Sequence, residues 1–320
     1  MQDLISRFSN QDRTNIDKKN VSEIISFRQE FLHQHFDPHN QGTFQLGFVW
    51  ATMANTLPTA FWSLYFVTRD QTALKECREE ADRVMRPWLI ERQKYIDQGQ
   101  VPPKDTTAVA NILSQMPKLE SVVSEALRLC IASITLRQAM ENFELKLGNQ
   151  SVKIRQGDQV VLAPTLTHYD SDIYEAPFVF QWDRFFIKPV KKETEKEVLD
   201  GGDGGGDGGG KEPSLSGTRS LPIRYKNGKK IPPAIALQPF GGGTTMCPGR
   251  HFALAEIKAF VAIVLCQWEI QYDEDAAKHH SHLSMGKDGV PNLEQARAGL
   301  GSLPPSKKDP VKCKWRHRSL

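Results

Sequence analysis

Residues 38–68 contain no Asp, Glu, Lys or Arg, and this uncharged run limits the folds open to the chain more than any other feature. Its central part, LGFVWATMANTLPTAFWSLYFV, is long enough to cross a bilayer as a helix. The middle of the run is polar, at Thr52, Asn55, Thr56, Pro58 and Thr59. A lipid-facing helix should be most apolar there, so we predict instead a helix buried inside a large soluble domain.

Composition supports a large folded domain. The 320 residues are 39% hydrophobic and 25% charged, which is typical of globular chains and excludes a disordered or fibrous protein. The net charge is only +3, and it would be −2 without the C-terminal stretch SKKDPVKCKWRHRSL, which holds six basic residues and one acid. We therefore expect no nucleic-acid partner.

The five cysteines are widely spaced, odd in number and free of any Cys-x-x-Cys motif. This pattern argues against a disulfide framework or a structural zinc site and fits a reducing compartment. It leaves room for one cysteine with a chemical role.

The first part of the chain reads as helical. Residues 1–95 contain few helix breakers, and an amphipathic helix is predicted over residues 117–130. The later part is mixed. FELKLGNQSVKIRQGDQVVLAP alternates apolar and polar residues around turns and predicts a strand hairpin, as does IRYKNGKKI around Asn227-Gly228. A helix is predicted near residues 249–270 and a final strand in VKCKWRHR.

A glycine- and aspartate-rich stretch interrupts this order at residues 191–219. It includes GGDGGGDGGG, which cannot bury enough apolar surface to order itself and predicts a flexible insertion. The aspartates lack the ligand order of a calcium-binding EF-hand loop, so we do not assign a calcium site to them.

The densest chemical signal is PFGGGTTMCPGRHFALAEIKAFVAIVLCQW. No Lys-Ser/Thr follows the glycines, so a phosphate-binding loop is disfavoured. Cys247 precedes a predicted helix, whose dipole and free N–H groups favour a thiolate. The three glycines at 241–243 let a flat ligand approach the backbone, since they carry no Cβ. Such a site suits a thiolate metal ligand, and for one cysteine taken alone a small buried cysteine after a turn is the default alternative.

FGGGTTMCPGR, with Phe240, Gly243, Cys247 and Gly249 at matching spacing, resembles the haem-ligand loop of the cytochrome P450 family. The resemblance implies that Cys247 is the axial thiolate to the iron of haem b. It also implies that residues 1–320 are the C-terminal part of one P450 domain, mainly α with small β-sheets.

Two further motifs agree with this resemblance. Glu125 and Arg128, in SEALRL, lie three residues apart on a predicted helix and can pair. Periodicity alone places them opposite the apolar arc of that helix, as an exposed ion pair of little energetic value. In the family such a Glu-x-x-Arg pair binds an Arg of a later aromatic coil, a place that Arg184 fills in FQWDRF. By analogy these three residues are structural supports of the haem loop.

The uncharged helix resembles the helix of the family that crosses the distal haem face and activates oxygen. Pro58 lacks an N–H and its ring clashes with the carbonyl of Ala54, so the helix should open there. Asn55 and Thr56 would then be the catalytic residues that hold O₂ and a water and pass protons. The family usually has an acid before this Thr, and Asn55 replaces it here.

Ala-Asn-Thr-x-Pro followed by Phe61 and Trp62 resembles the sterol 7α-hydroxylase branch, which is related to sterol 12α-hydroxylase and prostacyclin synthase. LEQARAGLGSLPP resembles the cholesterol and oxysterol 7α-hydroxylases. The resemblance implies hydroxylation of a sterol, oxysterol or bile-acid precursor. Two alternatives stay open: a haem-thiolate isomerase that needs neither O₂ nor a reductase, and an inactive membrane or scaffold protein.

The haem loop departs from the usual family pattern at Thr245, where many members carry an Arg or His that contacts a haem propionate. Arg137, in ITLRQAM, matches another propionate contact of the family and would take this charge alone. An exposed strand arginine is the alternative. Residues 131–135 and 298–302 match family loops that contact substrate.

The resemblance also implies partners and a location. We expect electrons from an NADPH–cytochrome reductase, with Arg250 and Lys258 as candidate contacts, and the cytosolic face of the endoplasmic reticulum membrane. The family domain is about half as long again, so an N-terminal membrane anchor and most substrate-contacting helices are expected to be missing. Two histidine groups, HQHFDPH and KHHSH, have spacings that a metal could use but are expected to be solvated.

Overall fold

The computed structural model describes residues 23–187, 222, 224–272, 301–304 and 313–319. The chain divides between Leu57 and Pro58 into two compact units, whose described residues we treat separately. The insertion predicted at 191–219 lies outside the described residues, as do the helical prediction before residue 23 and the histidines of KHHSH.

The first unit contains helices α1 (Glu23–His35) and α2 (Pro38–Met53). Asp37 caps α2, because its carboxylate accepts hydrogen bonds from the backbone N–H groups of His39 and Asn40. Arg28 of α1 joins the two helices. Its Nη2 donates to the carbonyl of Phe44 at 2.7 Å and its guanidinium stacks 4.3 Å from the ring of Phe48.

The uncharged run forms two helices rather than one. After α2 ends at Met53, Ala54 and Asn55 form a turn, and α3 (Thr56–Arg69) begins. The prediction that the helix opens at Ala54, four residues before Pro58, is confirmed. In the part of the chain that the structure describes, no helix has both the length and the apolar character needed to cross a membrane.

The core of the second unit lies between three helices, α4 (Gln71–Val84), α7 (Pro117–Cys130) and α10 (Arg250–Gln267). Two further helices, α5 (Arg86–Asp97) and α6 (Thr106–Ser114), lie between α4 and α7 in the chain. The buried apolar residues recur every three or four positions, which gives each core helix one apolar face. They are Ala73, Cys77 and Ala81 of α4, Leu119, Val122 and Val123 of α7, and Ile257, Val261 and Leu265 of α10.

Buried charged side chains connect these core helices. Met116 cannot cap α7, so the carboxylate of Glu80 on α4 accepts from the N–H groups of Lys118 and Leu119, at 3.1 and 3.0 Å. Lys258 of α10 donates to the carbonyl of Leu113 at 2.8 Å and to Glu120 at 3.0 Å. Lys258 is only 7% exposed. The suggestion that it meets a reductase is therefore wrong, because its ammonium is used inside the fold.

Among the described residues, the β-structure consists of four two-stranded antiparallel sheets. They pair β1 (Thr135–Gln138) with β4 (Gln159–Leu162), β2 (Phe143–Leu147) with β3 (Gln150–Ile154), β5 (Arg224–Lys226) with β6 (Lys229–Ile231), and β7 (Trp268–Tyr272) with β8 (Cys313–His317). Short helices α8 (Pro164–His168) and α9 (Pro233–Ala236) lie before and after the insertion.

The predicted strands are present, with one refinement of their pairing. The alternating stretch after residue 142 gives the β2–β3 hairpin, and its last strand β4 pairs back to β1. The Asn227-Gly228 turn is confirmed, with φ of 49° and 72°. These left-handed values at both central positions are those that an Asn-Gly hairpin turn requires. The predicted C-terminal strand is confirmed as β8.

Candidate functional site

The segment that connects α9 to α10 folds into a tight loop around Cys247. The N–H of Cys247 donates to the carbonyl of Phe240 at 3.0 Å, which closes the loop, and a 3₁₀ turn (Gly243–Thr245) lies inside it. Gly241 and Gly243 have φ of 74° and 64°, so residues with a Cβ would be strained at both positions. The loop thus brings Phe240 and Cys247 together at the start of α10.

Cys247 is the cysteine best placed to act as a thiolate. Cys77, Cys130 and Cys266 are buried, and burial raises the pKa of each thiol, to about 12 for Cys266. Cys313 is exposed but begins strand β8, away from any helix N-terminus. Cys247 is exposed and lies three residues before the first residue of α10, where the helix dipole favours negative charge.

The surroundings of Cys247 fit a haem-thiolate iron. A Cβ on Gly249 would lie 3.9 Å from the Cys247 sulfur, in ordinary van der Waals contact, so glycine leaves this position beside the sulfur unfilled. Phe240 is half-buried and packs on the core, which anchors the loop at its start. An accessible soft thiolate on a glycine-lined loop is the donor that such iron takes.

Arg137 contacts this loop from strand β1. Its Nη2 donates to the hydroxyl of Thr245 and to the carbonyl of Gly242, the latter at 3.5 Å. The two positions that the sequence analysis linked through a propionate therefore touch each other directly. Thr245 fixes one side of a half-buried guanidinium, and the role of Arg137 toward a propionate stays a prediction.

Glu125, Arg128 and Arg184 form one buried network. The carboxylate of Glu125 accepts from Arg128 Nε and Nη2, both at 2.8 Å, and from Arg184 Nε at 2.9 Å. The side chains are 0%, 0% and 2% exposed. The exposed pair that helical periodicity favours is therefore wrong, because the aromatic coil after α8 covers this face of α7.

Both guanidinium groups also bind backbone carbonyls, at the end of α8 and in the aromatic coil that follows it. Arg128 Nη1 donates to His168 and Pro177, at 2.7 and 2.6 Å, and Arg184 Nη1 donates to Glu175 at 2.7 Å. The hydrogen bonds of this network, rather than those of a helix or strand, thus hold the conformation of this irregular segment.

Two residues that the sequence analysis did not identify connect the coil to the haem loop. His168 is fully buried, and its Nε2 accepts the N–H of Gln238 at 3.0 Å. The hydroxyl of Tyr174 donates to the carbonyl of Ala236 at 2.7 Å. Nothing in the polar sequence around these residues indicates their burial, because the covering segment is distant in sequence.

His168 makes the fold sensitive to acid. Burial, with the Arg128 charge beside it, lowers the pKa of His168 from 6.5 to about 3. Below pH 6.5 the His168 imidazole binds a proton in the unfolded chain but stays neutral in the folded chain. The free energy of unfolding therefore falls as the pH drops from 6.5 toward 3.

We expect the titration of His168 to lower the free energy of unfolding by about 2 kcal/mol when the pH is lowered from 7 to 5. The His168→Gln variant should lose that much less over the same range, and urea unfolding at both pH values measures it. Equal pH dependence in the two proteins would show that His168 titrates normally.

Asn55 and Thr56 lie at the helix break of the uncharged run. Asn55 is half-buried within the turn, and Thr56 is buried as the first residue of α3. Both belong to the first compact unit and Cys247 to the second, so their catalytic assignment stays a prediction.

The two predicted substrate loops lie side by side where the structure describes them. Residue 132 donates its N–H to the carbonyl of Gly301 at 2.9 Å, and Leu303 donates to the carbonyl of Cys130 at 2.9 Å. Helix α3 joins them, since Trp62 Nε1 donates to the Leu303 carbonyl at 2.6 Å. The remaining part, residues 298–300, lies outside the described residues.

The histidines of HQHFDPH form no metal site that the structure describes, since no cluster of three metal-ligating side chains occurs among residues 23–187, 222, 224–272, 301–304 and 313–319. His35 instead stacks on Phe31, with ring centroids 4.4 Å apart.

Comparison with known proteins agrees with this geometry. The cytochrome P450 family model matches residues 1–197 and 221–290. A cytochrome P450 crystal structure aligns with a TM-score of 0.54 and 19% identity, over 89% of this chain and 47% of that one.

Three of the similar curated proteins are sterol hydroxylases. Cholesterol 7-alpha-monooxygenase of Cricetulus griseus is 33% identical over 93% of this chain and 50% of its own length. A 25-hydroxycholesterol 7-alpha-hydroxylase of Rattus norvegicus is 29% identical over 83% and 56%, respectively. A 5-beta-cholestane-3-alpha,7-alpha-diol 12-alpha-hydroxylase of Sus scrofa is 31% identical over 89% and 47%. The chain spans about half the length of these relatives. Because the family model covers most of its residues, the chain belongs to the cytochrome P450 family.

Proposed function

We propose that the protein is a haem-thiolate monooxygenase that hydroxylates a sterol, oxysterol or bile-acid precursor. The observation that carries this proposal is the exposed Cys247 on a closed glycine loop before α10, in a chain whose relatives are sterol 7α- and 12α-hydroxylases. O₂ and two electrons from an NADPH–cytochrome reductase would supply the reaction.

The cofactor in this proposal is haem b. Cys247 Sγ would be the axial ligand, Phe240, Gly243 and Gly249 would shape the loop against it, and Arg137 would bind a propionate. Bound haem would supply the redox chemistry that inserts one oxygen atom into a C–H bond. The buried network of Glu125, Arg128 and Arg184 holds the coil that supports the loop and takes no part in that chemistry.

The part of this chain in oxygen activation would be proton transfer. Thr56 carries a hydroxyl that can donate one proton while it accepts another, and Asn55 can hold a water beside it. Asn55 is neutral, so it positions a proton carrier but is not itself the acid.

Replacement of Thr56 by alanine should therefore lower the hydroxysterol formed per NADPH consumed by at least about tenfold, since proton transfer contributes 10²–10⁴-fold in enzymes of this kind. Thr52→Ala is a matched control, because among the described residues the Thr52 hydroxyl bonds only to helix carbonyls within α2, those of Phe48 and Val49. If both variants couple NADPH to product as the wild type does, Thr56 has no role in proton transfer.

The proposed location is the cytosolic face of the endoplasmic reticulum membrane. A sterol substrate would reach the protein from the membrane, and a membrane-bound reductase would contact the protein at the same membrane surface. With Lys258 buried, Arg250 is the remaining candidate contact near the ligand loop. Its Nη1 already donates to the carbonyl of Cys247 at 3.2 Å, so a reductase contact there would reach the loop directly.

The experiment that tests the proposed function uses the full reading frame, expressed with a haem precursor and reconstituted with NADPH, reductase and a panel of cholesterol, oxysterols and bile-acid precursors. A product heavier by one oxygen, formed only with NADPH and O₂, is the expected result. A rearranged product formed without NADPH would indicate the isomerase instead. Absence of haem would indicate the inactive scaffold.

A further inference from the structure

A continuous hydrogen-bonded path leads from the buried ion network to the cysteine loop. Arg128 donates to the backbone carbonyl of His168 at 2.7 Å, and the ring of the same His168 accepts the N–H of Gln238 at 3.0 Å. The carbonyl of Gln238 then accepts the N–H of Gly241 at 3.3 Å. His168 is the side chain through which the network reaches the loop along this path.

The imidazole of His168 has one polar contact among the described residues. Its Nε2 accepts a hydrogen bond, so the neutral ring carries its hydrogen on Nδ1, and Nδ1 has no hydrogen-bond partner in the described parts of the chain. Burial of the ring with its Nδ1 unpaired lowers the stability of the fold. The hydrogen bond to the N–H of Gln238 is therefore the contact that the imidazole contributes.

That contact restrains Gln238 from one side, and a second hydrogen bond restrains it from the other. The N–H of Gln238, in the peptide unit before it, is bound by His168, and its carbonyl, in the peptide unit after it, is bound by Gly241, so both peptide units that flank Gln238 are held. Phe240, two residues later, receives the N–H of Cys247 at 3.0 Å. The backbone orientation at Gln238 thus affects, through Phe240, the position of the Cys247 amide.

We propose that His168 is a positioning residue for Cys247: its Nε2 fixes the start of the loop, and so sets where the thiolate lies relative to the N-terminus of α10. The proposal rests on the proposed function, in which Cys247 is the iron ligand. It assigns His168 no contact with substrate or haem.

Two amide variants separate positioning from packing. In His168→Gln the side-chain oxygen lies at the ε position and can still accept from Gln238, whereas in His168→Asn it lies one carbon shorter and cannot reach. Both are polar, and they differ by a single methylene. Val67→Ala, in the buried core of α3, controls for a general loss of stability.

The first measurement is hydrogen–deuterium exchange of residues 238–249 in the full chain. His168→Asn should speed exchange of the Gly241 and Cys247 amides by about fivefold to tenfold, since one buried hydrogen bond is lost. His168→Gln and Val67→Ala should stay within about twofold of the wild type. Equal exchange in the Asn and Gln variants would overturn the proposal.

The second measurement is the CO-bound, reduced spectrum at equal haem content. His168→Asn should convert a larger share of the protein to a form without the thiolate-type Soret band, and His168→Gln should restore the wild-type share. A wild type without that band would refute the proposed function. A wild type with it and an unchanged Asn variant would refute only the role of His168.

If His168→Asn does not fold, Gln238→Pro removes the same hydrogen bond from the donor side. Proline lacks the N–H, and Leu237 before it already has the extended backbone that proline requires, with φ of −128° and ψ of 108°. This variant should show the same exchange and spectral changes. A wild-type result for Gln238→Pro would overturn the proposal.

Discussion

Replacement of Cys247 by alanine is expected to remove the red-shifted Soret band of the reduced, CO-bound protein and to abolish the proposed sterol hydroxylation. Alanine has no atom that can bind iron, and the three buried cysteines cannot substitute, because burial raises the pKa of Cys77, Cys130 and Cys266. The CO difference spectrum of the full reading frame measures this directly.

Cys313→Ala is the matched control, since Cys313 is the other exposed cysteine of the chain. It lies on strand β8 and should leave both the spectrum and turnover unchanged. A band lost in the Cys313 variant, or kept in the Cys247 variant, would show that the ligand has been assigned to the wrong residue.

The parts of the fold that follow from local sequence were predictable. The break before Pro58 depends on one missing N–H and a clash within four residues, and the Asn227-Gly228 hairpin depends on two residues that tolerate positive φ. The glycine loop before α10 likewise carries its own conformational requirement. In each case the cause and the structure lie within one short segment.

The burial of side chains that are covered by segments distant in the sequence was not predictable from helical periodicity. Glu125 and Arg128 lie on the polar side of an amphipathic helix, which predicts exposure, yet the coil after α8 covers them completely. Family resemblance supplied the partner Arg184, which periodicity could not. The same limit explains Lys258, whose buried contacts come from α6 and α7.

His168 shows the limit most clearly. A single histidine between polar residues predicts a solvated side chain, whereas the structure buries it against a segment about seventy positions later in the chain. Its role depends on which backbone N–H lies opposite its ring. Only the tertiary arrangement provides that information.

The Glu125→Gln variant is expected to lower the free energy of unfolding by about 3–5 kcal/mol, because it leaves two buried guanidinium groups without a counter-charge. Glutamine keeps the shape of the side chain, so the loss comes from charge rather than from a cavity. The urea unfolding midpoint of the full chain measures the effect.

Glu76→Gln is the matched control, because Glu76 pairs with Lys118 where both side chains are partly exposed, at 31% and 26%. A surface pair of this kind contributes little, so this variant should unfold close to the wild type. Similar losses in the two variants would show that the Glu125 network is no more important than an ordinary surface pair.

A double variant tests whether the network acts as a unit. Glu125→Gln combined with Arg184→Met removes a carboxylate together with one of the two cations it neutralises, so the combined loss should be smaller than the sum of the single losses. Additive losses would mean that Arg184 is held by the carbonyls of Glu175, Ala176 and Val179 rather than by Glu125. In that case Glu125 would serve Arg128 alone, and it would support the coil that follows His168 through Arg128.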